Sequence, residues 1–573
     1  MDISSHLIQR MLGLPPPATR DLVIERDLRV PMADGAVLLA DRWAPRAGGE
    51  ALPTALLRTP YGRRGAFGVG MARPLAERGF QVLIQSTRGT FGSGGVFDPM
   101  RCERDDGLAT LQWLGKQPWF GGTIILCGAS YLGYVQWAVA DDLPPEVKVM
   151  IPQVTESALT MEFLRPDGFS LETPFGWGVM VAGQERRWAM LQQAGQARRT
   201  RRVLGTLPLG QVDIAAIGHH SGYIQDILAH DCGAPRWAGI DHRHRVAGVS
   251  VPVSSIGGWY DIFLPGQLRD FQILQEAGRP ARLTIGPWTH ASMGAFRASM
   301  RETLGFGLAC ARGVDPPERA PVRLFVMGTE AWRDFGAWPP PGYEAQRFYL
   351  QPGGGLSGEP PRNWPPDRYR YDPADPTPAV GGVRLSGTAG RVDNSALEAR
   401  DDVRTYTTDR LDQDIEVIGE VSAEIWFRSS LPYADVFVRL CDVDPRRRSR
   451  NVCDGLVSLS GADEVSCAVV RLWPTAHRFK AGHRMRVQVS SGAFPVTGAT
   501  PAPARHALPR PPSARPARRS TTTARTPRPS SCPCGRRGSR GRAPTPGAAG
   551  TIDTSGNRII LDQAGVRREG SAR

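Results

Sequence analysis

The chain of 573 residues contains no run of about 20 apolar residues, so no segment of it reads as a membrane-spanning helix. Its N-terminus, MDISSHLIQRMLGLPPPATRD, has too short an apolar stretch and too early an acid for a secretory signal. A cytoplasmic protein without membrane attachment is expected. The nine cysteines are scattered and odd in number, which excludes the regular framework of a disulfide-stapled domain. Cys532 and Cys534 make only a C-x-C pair with no downstream partner, so no zinc site is expected, and no motif calls for a cofactor. Charge is scarce in the body of the chain. Of the net +14, residues 496–573 carry +12 through fifteen Arg against three acids, leaving +2 for residues 1–495. That tail has no Phe, Trp, Tyr or Lys, so it lacks the aromatic-interleaved basic stripe of a specific nucleic-acid binder. A smaller basic patch, Arg186, Arg187 and Arg198 to Arg202, reads as a solvated helix face.

What is present is a nucleophile elbow. In TIILCGASYLGYVQWAVA, Thr123 to Ala140, a buried-strand pattern (Ile124, Ile125, Leu126, Cys127) runs into Ser130 and then into a helix-forming stretch. A turn that tight admits only small residues beside the serine, and Gly128 and Gly133 provide the room. The turn lifts the hydroxyl above the sheet edge and points the start of the next helix, from Tyr131, at any oxyanion formed there. The spacing departs from the common form, because Leu132 occupies the usual second-glycine position and the glycine follows one residue later. An ordinary strand-to-helix turn remains the alternative at this point. Cys127 is expected to pack beneath the elbow as a small apolar residue.

A serine nucleophile needs a base, and the base needs an orienting carboxylate. In an α/β-hydrolase the chain order is serine, acid, histidine. His6 precedes the serine, and His219, His220, His230, His242 and His244 precede the best acid, Asp261, at the end of VPVSSIGGWYDIF. The next strand-like run, ARLTIGPWTH, ends in His290. Two consecutive strands thus deliver one titratable group each at the carboxyl edge, where open α/β sheets place their sites. Taken singly, Asp261 also reads as a helix N-cap and His290 as a loop histidine. The ordered set Ser130, Asp261, His290 is much less easily explained that way.

Several further runs carry a resemblance: VPMADGAVLLADRWAP (Val30 to Pro45), RTPYGR (Arg58 to Arg63), QSTRGTFGSGGVFDP (Gln85 to Pro99), GASYLGYVQW, GGWYDIF, GPWTH and RLFVMGTEAWRDF (Arg323 to Phe335). YDPADPTPAVGG (Tyr371 to Gly382) and AGHRMRVQVSSGAFP (Ala481 to Pro495) follow. With these the chain, over roughly Arg26 to Pro495, resembles the cocaine esterase-like hydrolases (the CocE/NonD family), relatives of the X-prolyl dipeptidyl-peptidases and the α-amino acid ester hydrolases. The resemblance implies that Ser130, Asp261 and His290 are the triad. It also implies that the Tyr61 hydroxyl completes an oxyanion hole with the backbone N–H of Tyr131; without it, Tyr61 reads as a turn aromatic. Trp177 and Phe263 fall where the family places aromatic acyl-pocket residues, with core packing the alternative for Trp177. The α-amino ester hydrolases bear carboxylates just after the catalytic Asp to hold an ammonium. Here that stretch is Ile262, Phe263, Leu264, Pro265, which lowers the amino-ester reading.

The length allows several domains. Strands alternating with helices, as at Ala55 to Arg58, Gln81 to Gln85 and the helix around Asp106 to Lys116, argue a parallel sheet with covering helices. The expected organisation is an N-terminal leader at 1–24, an α/β-hydrolase domain at 25–154 and 246–340 interrupted by a helical cap at 155–245, and a jelly-roll β-sandwich at 341–495. Period-two runs such as Val421, Ala423, Ile425, Phe427 and Met485, Val487, Val489 mark the sandwich, and the family supplies the jelly roll.

From about Val496 the strand pattern stops. Val496 to Ala549 holds eleven Pro and isolated apolar residues, so 496–573 is expected to be a disordered Arg/Pro-rich tail. The run RSTTTARTPRPSSCPC (Arg519 to Cys534), back-translated with permitted codons and read in a shifted frame, spells AVYHDRAHPASVVLPV, which closely resembles the family's final strand segment. A frameshifted tail is therefore expected, leaving the sandwich incomplete, with unpaired edges and poor solubility. The functional expectation is a serine hydrolase that cleaves carboxylic esters through an acyl-enzyme. An X-Pro dipeptidyl-peptidase, an α-amino acid ester hydrolase and a catalytically impaired frameshift product stand behind it. Expected partners are a small-molecule ester and, at most, a second copy in a homodimer.

Overall fold

The computed structural model describes residues 3–48, 52–159, 170–185, 202–206, 208–230, 233–362, 365–385, 387–497 and 548–561, with side chains from 557 onward in the last of these. Ten strands form the first sheet: β1 (Leu22–Pro31), β2 (Val37–Pro45), β3 (Thr54–Thr59), β4 (Gln81–Ser86), β5 (Ile124–Ala129), β6 (Val147–Gln153), β7 (Val253–Tyr260), β8 (Ala281–Thr289), β9 (Val322–Val326) and β10 (Ala331–Phe335). Their spatial order is β1-β2-β4-β3-β5-β6-β7-β8-β9-β10. From β4 through β9 every pairing is parallel, and antiparallel strands occur only toward the two edges. The residues of β3, β4 and β7 are buried throughout, as a parallel sheet covered on both faces requires. The strand order reverses between β3 and β5, the place where such sheets open a crevice at their carboxyl ends. Ser130 follows β5 directly.

Between β6 and β7 the described residues are helical, with segments at Glu172–Gly183, Val212–Ile217 and Gly222–Ala229. The first of these reaches the carboxyl edge of the sheet, where Trp177 donates to the Tyr61 hydroxyl. Arg202 is exposed there; Arg186, Arg187 and the rest of that basic patch lie outside the described residues.

The second sheet contains β11 (Gln346–Gln351), β12 (Gly355–Ser357), β13 (Asp367–Tyr371), β14 (Arg404–Thr407), β15 (Ile415–Ser429), β16 (Tyr433–Val443), β17 (Ser449–Ser460), β18 (Ser466–Phe479), β19 (Arg484–Ser490) and β20 (Ala548–Leu561). Its order is β17-β16-β19-β14-β12-β11-β20-β15-β18, with β13 also on β20. Along β15, Val421, Ala423, Ile425 and Phe427 are buried while Glu420, Trp426 and Arg428 face out, which is the alternation read from the sequence. The core of this domain is continuous with the hydrolase side. Trp259 and Tyr260 of β7 belong to the same apolar cluster as Val417 and Trp473, and the Trp259 and Trp338 rings lie 6.0 Å apart.

The expectation of a tail without structure fails at Ala548–Leu561. Strand β20 lies between β11 and β15 and pairs with both antiparallel, so the sandwich has a strand where an open edge was expected. The physical reason is local. Ile559, Ile560 and Leu561 are buried, Arg558 pairs with Glu424 at 2.7 Å, and the Asn557 amide oxygen accepts the Trp426 N–H. Arg519 to Cys534, including Cys532, lie outside the described residues.

Candidate active site

Ser130 sits between β5 and the helix Tyr131–Trp137 with φ 58° and ψ −123°, a strained backbone that only a crowded turn maintains. The two flanking glycines are required by space. A Cβ on Gly128, whose φ is +147°, would stand 2.4 Å from Leu132 Cβ, and one on Gly133 would stand 2.4 Å from Thr155 Cγ2. The displaced glycine is thereby explained. Leu132 is buried in the cluster beneath the sheet, and it is Gly133 that lets the helix approach Thr155. Cys127 is buried below the elbow, and burial pushes its thiol up to about 12, so it stays a neutral packing group.

Asp261 and His290 follow β7 and β8; His290 reaches Ser130, and Asp261 reaches His290. His290 Nε2 lies 3.0 Å from Ser130 Oγ, and its Nδ1 lies 2.8 Å from Asp261 Oδ2. A carboxylate is an acceptor only, so Nδ1 carries the proton and Nε2 is left with its lone pair toward the serine. The Asp261 carboxylate is fully buried, and its second oxygen accepts the Phe263 N–H at 2.8 Å. Buried charge is tolerable when both oxygens are bonded in this way. The Phe263 ring stands edge-on to His290, with centroids 5.4 Å apart.

Tyr61 follows β3 at the switch point. Its hydroxyl accepts the Trp177 indole N–H at 2.9 Å and also faces Ser130, and burial pushes its pKa up to about 12. It is therefore a neutral donor at any ordinary pH. The Tyr131 amide is the first N–H of the helix and has no intrahelical acceptor. The Tyr131 side chain is anchored, donating to Glu103 Oε1 at 2.7 Å and accepting the Met100 N–H at 2.8 Å. Glu103 in turn pairs with the buried Arg58 at 2.9 Å. Sequence reading missed this brace. Its components are distant in the chain, and Glu103 is one of three acids in the first turn of its helix, with nothing local to single it out.

A cavity of about 760 Å³ opens onto Ser130 and His290, with Tyr61, Trp177, Met180, Phe263 and Leu385 among its walls. Leu385 comes from a loop of the sandwich domain, so three parts of the chain shape the cavity. Among the described residues that line it there is no Asp or Glu side chain. The geometry offers a hydroxyl, a base, two N–H or O–H donors and an apolar chamber. That set can bind an uncharged acyl compound and add an oxygen nucleophile to its carbonyl. Among the described residues, no cluster of His, Cys, Asp or Glu has the makeup of a metal site, and no helix is long and apolar enough to cross a membrane.

Residues 34–292 match the family model described as X-Pro dipeptidyl-peptidase (S15 family), and residues 317–530 match the X-Pro dipeptidyl-peptidase C-terminal non-catalytic domain. The second match begins ahead of β9 and β10, which in the structure complete the first sheet. The chain is 31% identical over 531 residues to the cocaine esterase of Rhodococcus sp. (strain MB1 Bresler), covering 82% of this chain and 91% of that protein. In fold it is similar to an α-amino acid ester hydrolase, with a TM-score of 0.74 at 19% identity over 97% of this chain and 98% of that one. An aminopeptidase from a marine sediment Thaumarchaeota archaeon gives a TM-score of 0.75 at 20% identity, over 96% and 97% of the two chains.

Proposed function

The chain belongs to the cocaine esterase-like serine hydrolases of the S15 family, and on that premise we propose that it cleaves carboxylic esters of apolar or aromatic acids through an acyl-enzyme on Ser130. The observation that carries the reading is the bonded series Ser130, His290, Asp261, with contacts of 3.0 and 2.8 Å, at the mouth of an apolar cavity.

In the proposed reaction His290 Nε2 takes the Ser130 proton as Oγ attacks the ester carbonyl carbon. The carbonyl oxygen becomes an oxyanion held by the Tyr61 hydroxyl and the Tyr131 amide. Asp261 keeps the imidazole in the required tautomer and stabilises the imidazolium that forms. The C–O bond to the alcohol breaks as His290 returns its proton to the departing alkoxide. Water then gives a proton to His290 and attacks the acyl carbon, and collapse of the second oxyanion frees the acid and restores the Ser130 hydroxyl.

The chamber favours apolar acyl groups, the guanidinium of the lining residue Arg64 being already paired with Asp27 and Asp41. Burial of apolar surface contributes about 25 cal/mol per Å², while an α-ammonium would enter without a counter-charge. The stretch after Asp261 is Ile262, Phe263, Leu264 and Pro265, and no carboxylate is found among the described lining residues. This observation supports the ester reading over an X-Pro dipeptidyl-peptidase or an α-amino acid ester hydrolase, both of which must hold a free amine. A turnover screen of 4-nitrophenyl esters beside an X-Pro anilide tests it. Ester turnover with an inert anilide is expected, and the reverse pattern would overturn the proposal.

A further inference from the structure

We propose that Trp177 is a positioning residue of the oxyanion hole, its indole N–H fixing the Tyr61 hydroxyl so that the phenol proton is directed at the oxyanion; this rests on the proposed roles of Ser130 and Tyr61. A phenol oxygen has one proton to give, and a tyrosine hydroxyl beside a serine could spend that proton in several directions. Indole is a donor and never an acceptor, so in the 2.9 Å contact Trp177 gives and Tyr61 receives. The Tyr61 proton is excluded from that side, where it would meet the indole hydrogen. The remaining directions include the one toward Ser130, which faces the same hydroxyl. Accepting one hydrogen bond also polarises the O–H and makes it a better donor.

The indole is itself held firmly. It is buried, its ring lies nearly parallel to that of Tyr131 with centroids 6.1 Å apart, and Tyr223 abuts it edge-on at 5.0 Å. One side chain therefore touches both residues that supply the proposed oxyanion donors. The helix Glu172–Gly183 that carries it is tied at both ends. Arg384 of the sandwich domain grips Glu172 with contacts of 2.9 and 2.7 Å, and Gln184, just past the other end, donates to the carbonyl of Pro60, the residue before Tyr61, at 2.9 Å. A wall of the acyl cavity could be built from any aromatic ring. The N–H aimed at Tyr61 is what only tryptophan supplies here, and it makes the cap part of the catalytic apparatus.

The test is a double-mutant cycle on the full chain, read with 4-nitrophenyl acetate and 4-nitrophenyl benzoate. Acetate is too small to depend on the Trp177 ring for binding, so its kcat isolates the hydrogen bond. Trp177→Phe is expected to lower kcat by about three- to tenfold for both esters, the scale of one lost neutral hydrogen bond, with the acetate KM within about twofold. In the Tyr61→Phe background the same change should cost less than about twofold, because the hydroxyl it positions is gone. Equal losses in both backgrounds, or a loss confined to the KM for benzoate, would overturn the inference. Benzothienylalanine at position 177, which keeps the fused rings and replaces N–H by sulfur, is the second variant and should repeat the kcat loss with packing retained. Wild-type acetate kcat in that variant would overturn the inference. Absence of ester turnover in the unsubstituted chain, or its persistence in Ser130→Ala, would overturn the parent reading and this one with it.

Discussion

Trp473, on strand β18 of the sandwich, donates its indole N–H to the main-chain carbonyl of Asp261 at 3.2 Å. The acid at the end of β7 is thus braced from the C-terminal domain, while Tyr61 is braced from the cap. Removing the brace without emptying the space should disturb the acid more than the fold. Trp473→Phe is expected to lower kcat a few-fold and stability by about 1 kcal/mol, the net worth of one hydrogen bond. Steady-state kinetics beside a urea titration measures both. Unchanged kcat with a large stability loss would assign Trp473 to packing alone.

Tyr61→Phe should lower kcat by about 10²-fold or more with little change in KM, since in the proposed reaction the hydroxyl acts chiefly in the transition state. Wild-type kcat in this variant would make the hydroxyl structural only.

The cavity predicts discrimination against amines. An ester of phenylacetic acid should exceed the matching phenylglycine ester in kcat/KM by about tenfold or more at neutral pH, since an unpaired buried ammonium is costly. The gap should narrow as the amine of the second ester is neutralised at higher pH. Equal rates at neutral pH would reveal a counter-charge.

Stability should fall on both sides of neutrality for separate reasons. Burial holds the Cys127 thiol and the Tyr61 hydroxyl protonated to about 12, against ordinary values of 9.0 and 10.0. The unfolded chain therefore loses these protons first, so the stability present below pH 9 is lost as pH rises toward 12. On the acid side burial lowers His242, which is bonded to Tyr134 at 3.0 Å, from 6.5 to about 4. The unfolded chain then gains the proton first, and stability is lost as pH falls from 6.5 toward 4. Melting temperature against pH should show both limbs, with Cys127→Ala flattening the alkaline one and His242→Gln the acid one. Limbs unmoved by these changes would contradict the assignments.

The meeting of Ser130, Asp261 and His290 was legible in the sequence because its demands are local. Small residues around Ser130, and polar groups at the ends of two successive strands, follow from the geometry of an open parallel sheet. What joins distant segments was not legible. The bond from Trp177 to Tyr61 spans 116 positions, and the one from Trp473 to Asp261 spans 212. Trp177 could be expected at a pocket wall from resemblance, but no pattern announces which way an indole N–H will point. The tail misled for a different reason. Composition taken over Val496 to Ala549 is dominated by proline and arginine, and extending it to the whole of 496–573 passes over the short run ending in Ile559, Ile560 and Leu561, which the sandwich takes up as β20.

The proposal that Ser130 is the nucleophile of an ester hydrolase is tested most directly by titrating the full chain with an organophosphonate, mapping the adduct, and following 4-nitrophenyl ester turnover in parallel. One equivalent should bind at Ser130 alone and abolish turnover in proportion, and Ser130→Ala should neither label nor turn over while keeping the wild-type circular dichroism. An adduct on another residue, or undiminished turnover in Ser130→Ala, would contradict the account.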